Sequence, residues 1–143
     1  MYILDTDHIS LLESVSTSAE AQRIRFRLNR LKGHEERITT IITFEEQMRG
    51  WMSYLARART LTHQVAAYAK LKGVLDRYLK ITVLDFDEAA AAEFARLQRL
   101  RLRIGTMDLK IAAIALAHDA TVLTRNLKDF GRVPALRVED WTV

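Results

Sequence analysis

Four short runs of apolar and β-branched residues set the limits on how this chain can fold. They are Tyr2-Ile3-Leu4, Arg37-Ile38-Thr39-Thr40-Ile41-Ile42, Ile81-Thr82-Val83-Leu84 and Thr121-Val122-Leu123-Thr124. None alternates with charged residues, as a strand with one wet face would. Such runs belong to strands covered on both faces. Helix-forming stretches separate them: Ile9 to about Val15, residues 16–36 ending near Gly33, Thr43 to about Arg59, Leu61 to about Tyr78, residues 88–103 opened by Asp87, and Asp108 to His118. Ala135-Leu136-Arg137-Val138, after Pro134, reads as a fifth short strand. Strands alternating with helices predict an α/β fold: a doubly wound parallel sheet of four to five strands with helices on both faces.

Composition narrows the class. At 143 residues the expectation is a single domain spanning 1–143. An apolar share of 49% with one Pro and five Gly excludes a disordered or collagen-like chain. The lack of Cys excludes a disulfide scaffold, a thiolate zinc site and a Cys nucleophile, and suits a reducing cytoplasm. No apolar run approaches the roughly 18 residues of a membrane span, so no membrane partner is expected. The start, MYILDTDHIS, carries two acids in seven residues, unlike a signal peptide.

The acids fall at informative places. Asp5 directly follows the first strand, with Asp7 two residues on. Glu45 and Glu46 follow the second strand, Asp108 starts an apolar helix, and Asn126 and Asp129 follow the fourth strand. In an open parallel sheet all carboxyl ends lie along one edge, where ligands bind. Asp5, Glu46 and the Asn126/Asp129 pair are therefore expected to converge, and Asp108 joins them if its helix begins at the same edge. Several carboxylates in one crevice repel one another, and Mg²⁺ or Mn²⁺ is the usual remedy. Simpler roles compete. Asp5 or Asp7 could cap a helix. Thr43-Phe-Glu-Glu46 matches a capping box. Asp108 suits the positive end of a helix dipole, and Asp129 suits a turn.

The cations point to a polyanion or an acidic partner. There are 22 Lys and Arg against 18 Asp and Glu, a formal charge of +4, and 16 of the 22 are Arg. Arg is the cation suited to bidentate phosphate contact. Arg23, Arg25, Arg27, Arg30 and Lys32 form one cluster, the candidate nucleic-acid contact. Arg96, Arg99, Arg101 and Arg103 form another. Solvated helix faces are the plain alternative for both. Lys110 faces either phosphate or solvent. His8, His34, His63 and His118 have no ligand spacing and read as structural or solvent-facing. Plain core packing is expected for most of Trp51, Met52, Tyr54, Leu55, Leu11, Leu12 and Val15.

Five segments in this order resemble the PIN-domain ribonucleases, especially the VapC-type toxins of VapBC toxin–antitoxin pairs. They are YILDTDH at 2–8, IITFEEQMRG at 41–50, IGTMDLKIAAIALA at 104–117, VLTRNLKDF at 122–130 and RVPALRVEDW at 132–141. The resemblance implies a PIN-like fold and a Mg²⁺- or Mn²⁺-dependent endoribonuclease. It also implies a homodimer neutralised by a VapB-like antitoxin. Asp5, Glu46 and Asp108 match the family's first three acids. The fourth position, often Asp, is Asn126 here, and Asp129 stands three residues on. That departure leaves open one metal or two. In the implied mechanism Asp5 and Asp108 are the main metal ligands. Glu46 orients or deprotonates water, or ligates a second metal. Thr124 and Asn126 hydrogen-bond the carboxylates or a metal-bound water.

Two rivals stand beside this reading. One is a non-catalytic PIN-like module that binds RNA or a partner, which the Asn126 position keeps open. The other is a phosphatase using Asp5-Thr6-Asp7 as D-x-D, but the Gly-Asp turn that such enzymes also need is missing.

Overall fold

The computed structural model describes residues 1–13, 17–31 and 37–143. Val15, Lys32, Gly33 and His34, all weighed above, lie outside the described residues. The element order is β1 (Tyr2–Leu4), α1 (Thr6–Glu13), α2 (Ala19–Asn29), β2 (Ile38–Thr40), α3 (Ile41–Arg57), α4 (Leu61–Tyr78), β3 (Thr82–Leu84), α5 (Glu88–Arg99), α6 (Thr106–Ala117), β4 (Thr121–Leu123), α7 (Leu127–Phe130) and β5 (Arg137–Glu139).

All strand pairs are parallel. β4 lies between β1 and β5, with Ile3 opposite Val122 and Val122 opposite Val138. β2 pairs with β3 as a second ladder, with Thr39 opposite Val83. The two ladders are joined by a side chain: the Thr39 hydroxyl donates to the Leu4 carbonyl at 2.7 Å. The spatial order is thus β3, β2, β1, β4, β5. The chain winds one way from β1 to β3, then crosses back to β4. The reversal falls between β1 and β4, and in doubly wound folds such a switch point opens a crevice at the carboxyl ends.

β1 and β4 each feed two cores. Ile3 and Val122 pack with α5 and α6, through Ala90, Leu97, Ile111 and Ile114. Leu4 and Leu123 pack on the other face with Ile9 and Leu12 of α1, Ile24 of α2, and Trp141. Successive strand residues point to opposite faces, so both must be apolar, which is why the runs do not alternate. Helix α6 is buried almost throughout, from Leu109 to Ala115.

Element boundaries differ from the sequence reading in instructive ways. β2 stops at Thr40, not Ile42, because Thr40 caps α3: its hydroxyl accepts the Thr43 amide at 3.1 Å. Thr43 lies inside α3 and gives its own amide to Thr40, so the Thr43–Glu46 capping box does not form. Helix α5 ends at Arg99 rather than Arg103, since Arg101 adopts a left-handed φ of 50°. Asp87 opens it as expected, accepting the Ala90 amide at 2.9 Å. β5 runs over 137–139 rather than 135–138, because Ala135 takes a positive φ of 64°. Among the described residues no helix is long and apolar enough to cross a membrane.

Candidate active site

Strand pairing itself carries Asp5 to the switch point: its amide donates to the Leu123 carbonyl of β4 at 3.0 Å. Its side chain is 6% exposed. Oδ1 accepts the Thr6 amide at 2.7 Å, and Oδ2 accepts the Thr124 hydroxyl at 2.8 Å. Thr124 directly follows β4, and its amide donates to the Glu139 carbonyl at 3.0 Å.

Glu46 arrives from the second turn of α3. With Thr40 as the cap, its carboxylate is free to cross to α1, where Oε2 accepts the Thr6 hydroxyl at 2.8 Å. Thr6 therefore bridges Asp5 and Glu46. Asp108 sits in the first turn of α6, whose cap residue, Gly105, offers no side-chain bond. The positive end of the α6 dipole faces that carboxylate.

Asn126 caps the short α7, and its Oδ1 accepts the Asp129 amide at 3.4 Å. Its Nδ2 then points at two acids, Asp129 Oδ2 at 3.1 Å and Asp108 Oδ2 at 3.4 Å. Asn126 thus presents amide protons to the acids, and Asp129 brings the negative charge. Gly131 closes α7, donating to the Leu127 carbonyl at 2.9 Å. A Cβ there would stand 2.5 Å from that oxygen, so the turn holding Asp129 has no room for a side chain at 131.

The four acids feel one another. Burial, then repulsion from Asp7 and Asp108, pushes the Asp5 carboxyl up to about 6 against the bonds from Thr124 and Thr6. Burial also raises Glu46, helped by Asp108 and Glu45. Asp108 is raised by burial and by Asp129 and Asp7. The charges are held together at a cost. Among the described residues, however, no three His, Asp or Glu side chains stand together as a ready-made metal cage.

Two residues have roles that the sequence left undecided. Asp7 is not the cap of α1. Its Oδ2 reaches across to the Arg125 amide at 2.9 Å, and its Oδ1 meets His8 Nδ1 at 2.6 Å. Burial alone would raise the Asp7 carboxyl. The His8 and Arg125 bonds outweigh it and hold the carboxyl below its ordinary range. His8 is fully buried, whereas His63 and His118 are exposed. The nearest sequence signal was the bare D-x-D-H string. Lys110 lies over the rings of Phe86 and Phe94, 5.8 Å from each.

The first basic cluster is largely committed within the chain. Arg23 donates to the Thr142 carbonyl at 2.6 Å, Arg27 to Val143 at 3.1 Å and Arg25 to Leu12 at 3.4 Å. Arg30 lies 5.4 Å over the exposed Phe26 ring. In the second cluster Arg96 pairs with Glu93, and the Arg103 carbonyl accepts Arg132 at 2.6 Å. Arg132 in turn stands 3.7 Å from Asp129.

Comparison with known proteins bears on this arrangement. The family model described as "PIN domain" matches residues 2–136. A tRNA(fMet)-specific endonuclease VapC of Salmonella typhimurium is 31% identical over 144 residues, covering 98% of this chain and 97% of the relative. Among solved structures, VapBC-1 from nontypeable Haemophilus influenzae superposes with a TM-score of 0.75 at 24% identity, over 99% of this chain and 98% of that one. DNA-bound VapBC from Salmonella typhimurium superposes with a TM-score of 0.68 at 26% identity, over 98% and 97%.

Proposed function

This chain belongs to the PIN-domain family as a VapC-type endoribonuclease toxin, and from that premise we propose that its Asp5, Glu46, Asp108 and Asp129 cut RNA with Mg²⁺ or Mn²⁺. One observation carries the reading. Side chains from β1, α3, α6 and the β4–α7 connection are strung on one hydrogen-bonded path along the carboxyl edge, Glu46–Thr6–Asp5–Thr124–Asn126–Asp108/Asp129. The Asn126 amide donates to Thr124 Oγ1 at 3.0 Å, which closes the path.

The donor set is all hard oxygen, and its members push each other's carboxyls toward the protonated state. Both facts suit a hard divalent cation, which relieves the repulsion. Mg²⁺ usually takes one or two carboxylates and completes its shell with water and substrate phosphate, so the spread of the acids is compatible with it. Asp5 and Asp108 would hold it, with Asp129 adding charge. When bound, such an ion polarises the phosphodiester and makes a nearby water more acidic.

The chain's own groups do the rest. Thr6 occupies Glu46 Oε2, which leaves Oε1 to take the proton from the attacking water. Thr124 and Thr6 fix the Asp5 carboxylate by one bond on each oxygen. Asn126 keeps Asp108 and Asp129 on one side of the crevice. In-line displacement then breaks the bond to the leaving RNA oxygen. At the C-cap of α2, Arg30 on Phe26 supports a backbone contact, since Arg23, Arg25 and Arg27 already hold carbonyls. The wider reading is a cytoplasmic homodimer silenced by a VapB-like antitoxin. The solved VapBC complexes support the antitoxin partner.

The test is cleavage of mixed RNA with Mg²⁺, Mn²⁺ or EDTA. Metal-dependent cutting by the wild type and none by Asp5→Ala is the expected result. Equal cutting by both would sink the assignment. Binding without turnover would mark a non-catalytic module. A D-x-D phosphatase would need Asp7 free as acid and base, whereas His8 and Arg125 occupy both of its oxygens.

A further inference from the structure

His8 lies three residues past Asp5 and is fully buried, with both ring nitrogens engaged. The Trp141 amide donates to Nε2 at 3.1 Å. An N–H can be accepted only by a ring nitrogen that carries no proton. The proton therefore sits on Nδ1, which donates to Asp7 Oδ1 at 2.6 Å. The nearest other acid to Nε2 is Asp140, at 3.8 Å. Its Oδ1 is committed to the amide and hydroxyl of Thr142, at 2.8 and 2.6 Å.

The far side of Asp7 holds the site. Its Oδ2 accepts the Arg125 amide at 2.9 Å and lies 3.4 Å from the Thr124 hydroxyl that donates to Asp5. Residues 124–126 carry three of the bonds that fix the acids. The other end of the relay is rigid. Trp141 is 4% exposed, its ring centre lies 4.8 Å from that of Tyr2, and its indole N–H donates to Glu139 at 2.7 Å.

We propose that His8 is a positioning residue: held in its Nδ1–H form by the Trp141 amide, it donates to Asp7 and so sets the placement of residues 124–126 around Asp5 and Asp108. Hydrogen-bonded partners behind a ligand fix its orientation, and their loss typically costs ten- to a hundredfold in affinity or rate. An aliphatic side chain could fill the same buried space but could not give Asp7 a proton. The role rests on the nuclease reading of Asp5 and Asp108.

Uniformly ¹⁵N-labelled wild-type protein provides the first measurement. Long-range ¹H–¹⁵N spectra should show His8 with a protonated Nδ1 and a bare Nε2. A proton on Nε2 overturns the proposal. The second measurement compares His8→Asn, whose amide N–H keeps donation toward Asp7, with His8→Ala and His8→Gln. The Ala and Gln variants should shift the Arg125 and Asn126 amide resonances. They should lower kcat on RNA about tenfold or more, with KM within about twofold. The Asn variant should restore both the resonances and kcat to within about threefold of wild type. If the folded Asn and Gln variants behave alike, His8 is a packing residue and the proposal fails. Should His8→Ala not fold, the Asn–Gln pair and the wild-type spectrum still decide. If wild-type protein cuts no RNA at all, the nuclease reading falls, while the spectra still report on the His8 relay.

Discussion

Asp5, the carboxylate we propose as a metal ligand, shows how a single side chain is held against the interest of stability. Its carboxyl titrates near 6 in the fold and near 3.9 in an unfolded chain. Between those values the unfolded chain gives up its proton first, so native stability falls as pH rises. The loss is about 3 kcal/mol by linkage. Urea denaturation in chelator between pH 4.5 and 7 should show that decline. Asp5→Asn should flatten it and raise stability at pH 7 while abolishing cleavage. Mg²⁺ should raise the wild-type melting temperature more than that of Asp5→Asn. An unchanged pH slope in the variant would refute the burial argument. At the same scale, Gly131→Ala should cut RNA more slowly, because the Cβ displaces the turn that carries Asp129. Single-turnover cleavage rates measure that loss.

Elements account for what was and was not legible in the sequence. Asp5, Glu46 and the 126–129 pair were readable because each follows an apolar run, and in a parallel sheet the ends of those runs share an edge. Asp108 was readable because its helix is apolar throughout and so must lie against the sheet. The Asp7–His8 relay was not readable. Its partners, Arg125 and Trp141, lie 118 and 133 residues away and contribute backbone amides, which have no letter in the sequence. The start of α3 was misplaced because Thr40 and Thr43 are equally good caps by type. Only the folded backbone decides between them: Thr40 stays extended and accepts the Thr43 amide. Thr40→Ala should therefore cost about 1 kcal/mol in a denaturant titration, though Thr43→Ala removes no cap. The α2 arginines show another limit: their letters give no sign that Arg23 and Arg27 donate to the Thr142 and Val143 carbonyls. Arg23→Ala should lower stability by about 1–2 kcal/mol, measured the same way, with RNA affinity nearly unchanged.

Over the whole molecule, a chain of formal charge +4 holds an acidic crevice. An acidic pocket alone would repel RNA; on the proposed metal-dependent reading, cations of the basic surface supply the attraction and a bound divalent ion masks the acids. RNA affinity of catalytically silent Asp5→Asn protein should fall with salt. Three backbone contacts would give a log–log slope of about −2, read by fluorescence anisotropy across KCl concentrations. A flat response would show that the basic surface does not meet the strand.

The three-residue strands carry one last implication. A shift of β1 by a single position would send Ile3 and Leu4 into each other's oily compartments and pull Asp5 away from Thr124 at the same stroke. Mispaired molecules would thus be both unstable and inert. Correct assembly and competence to cut are proofread by the same few ångströms of backbone.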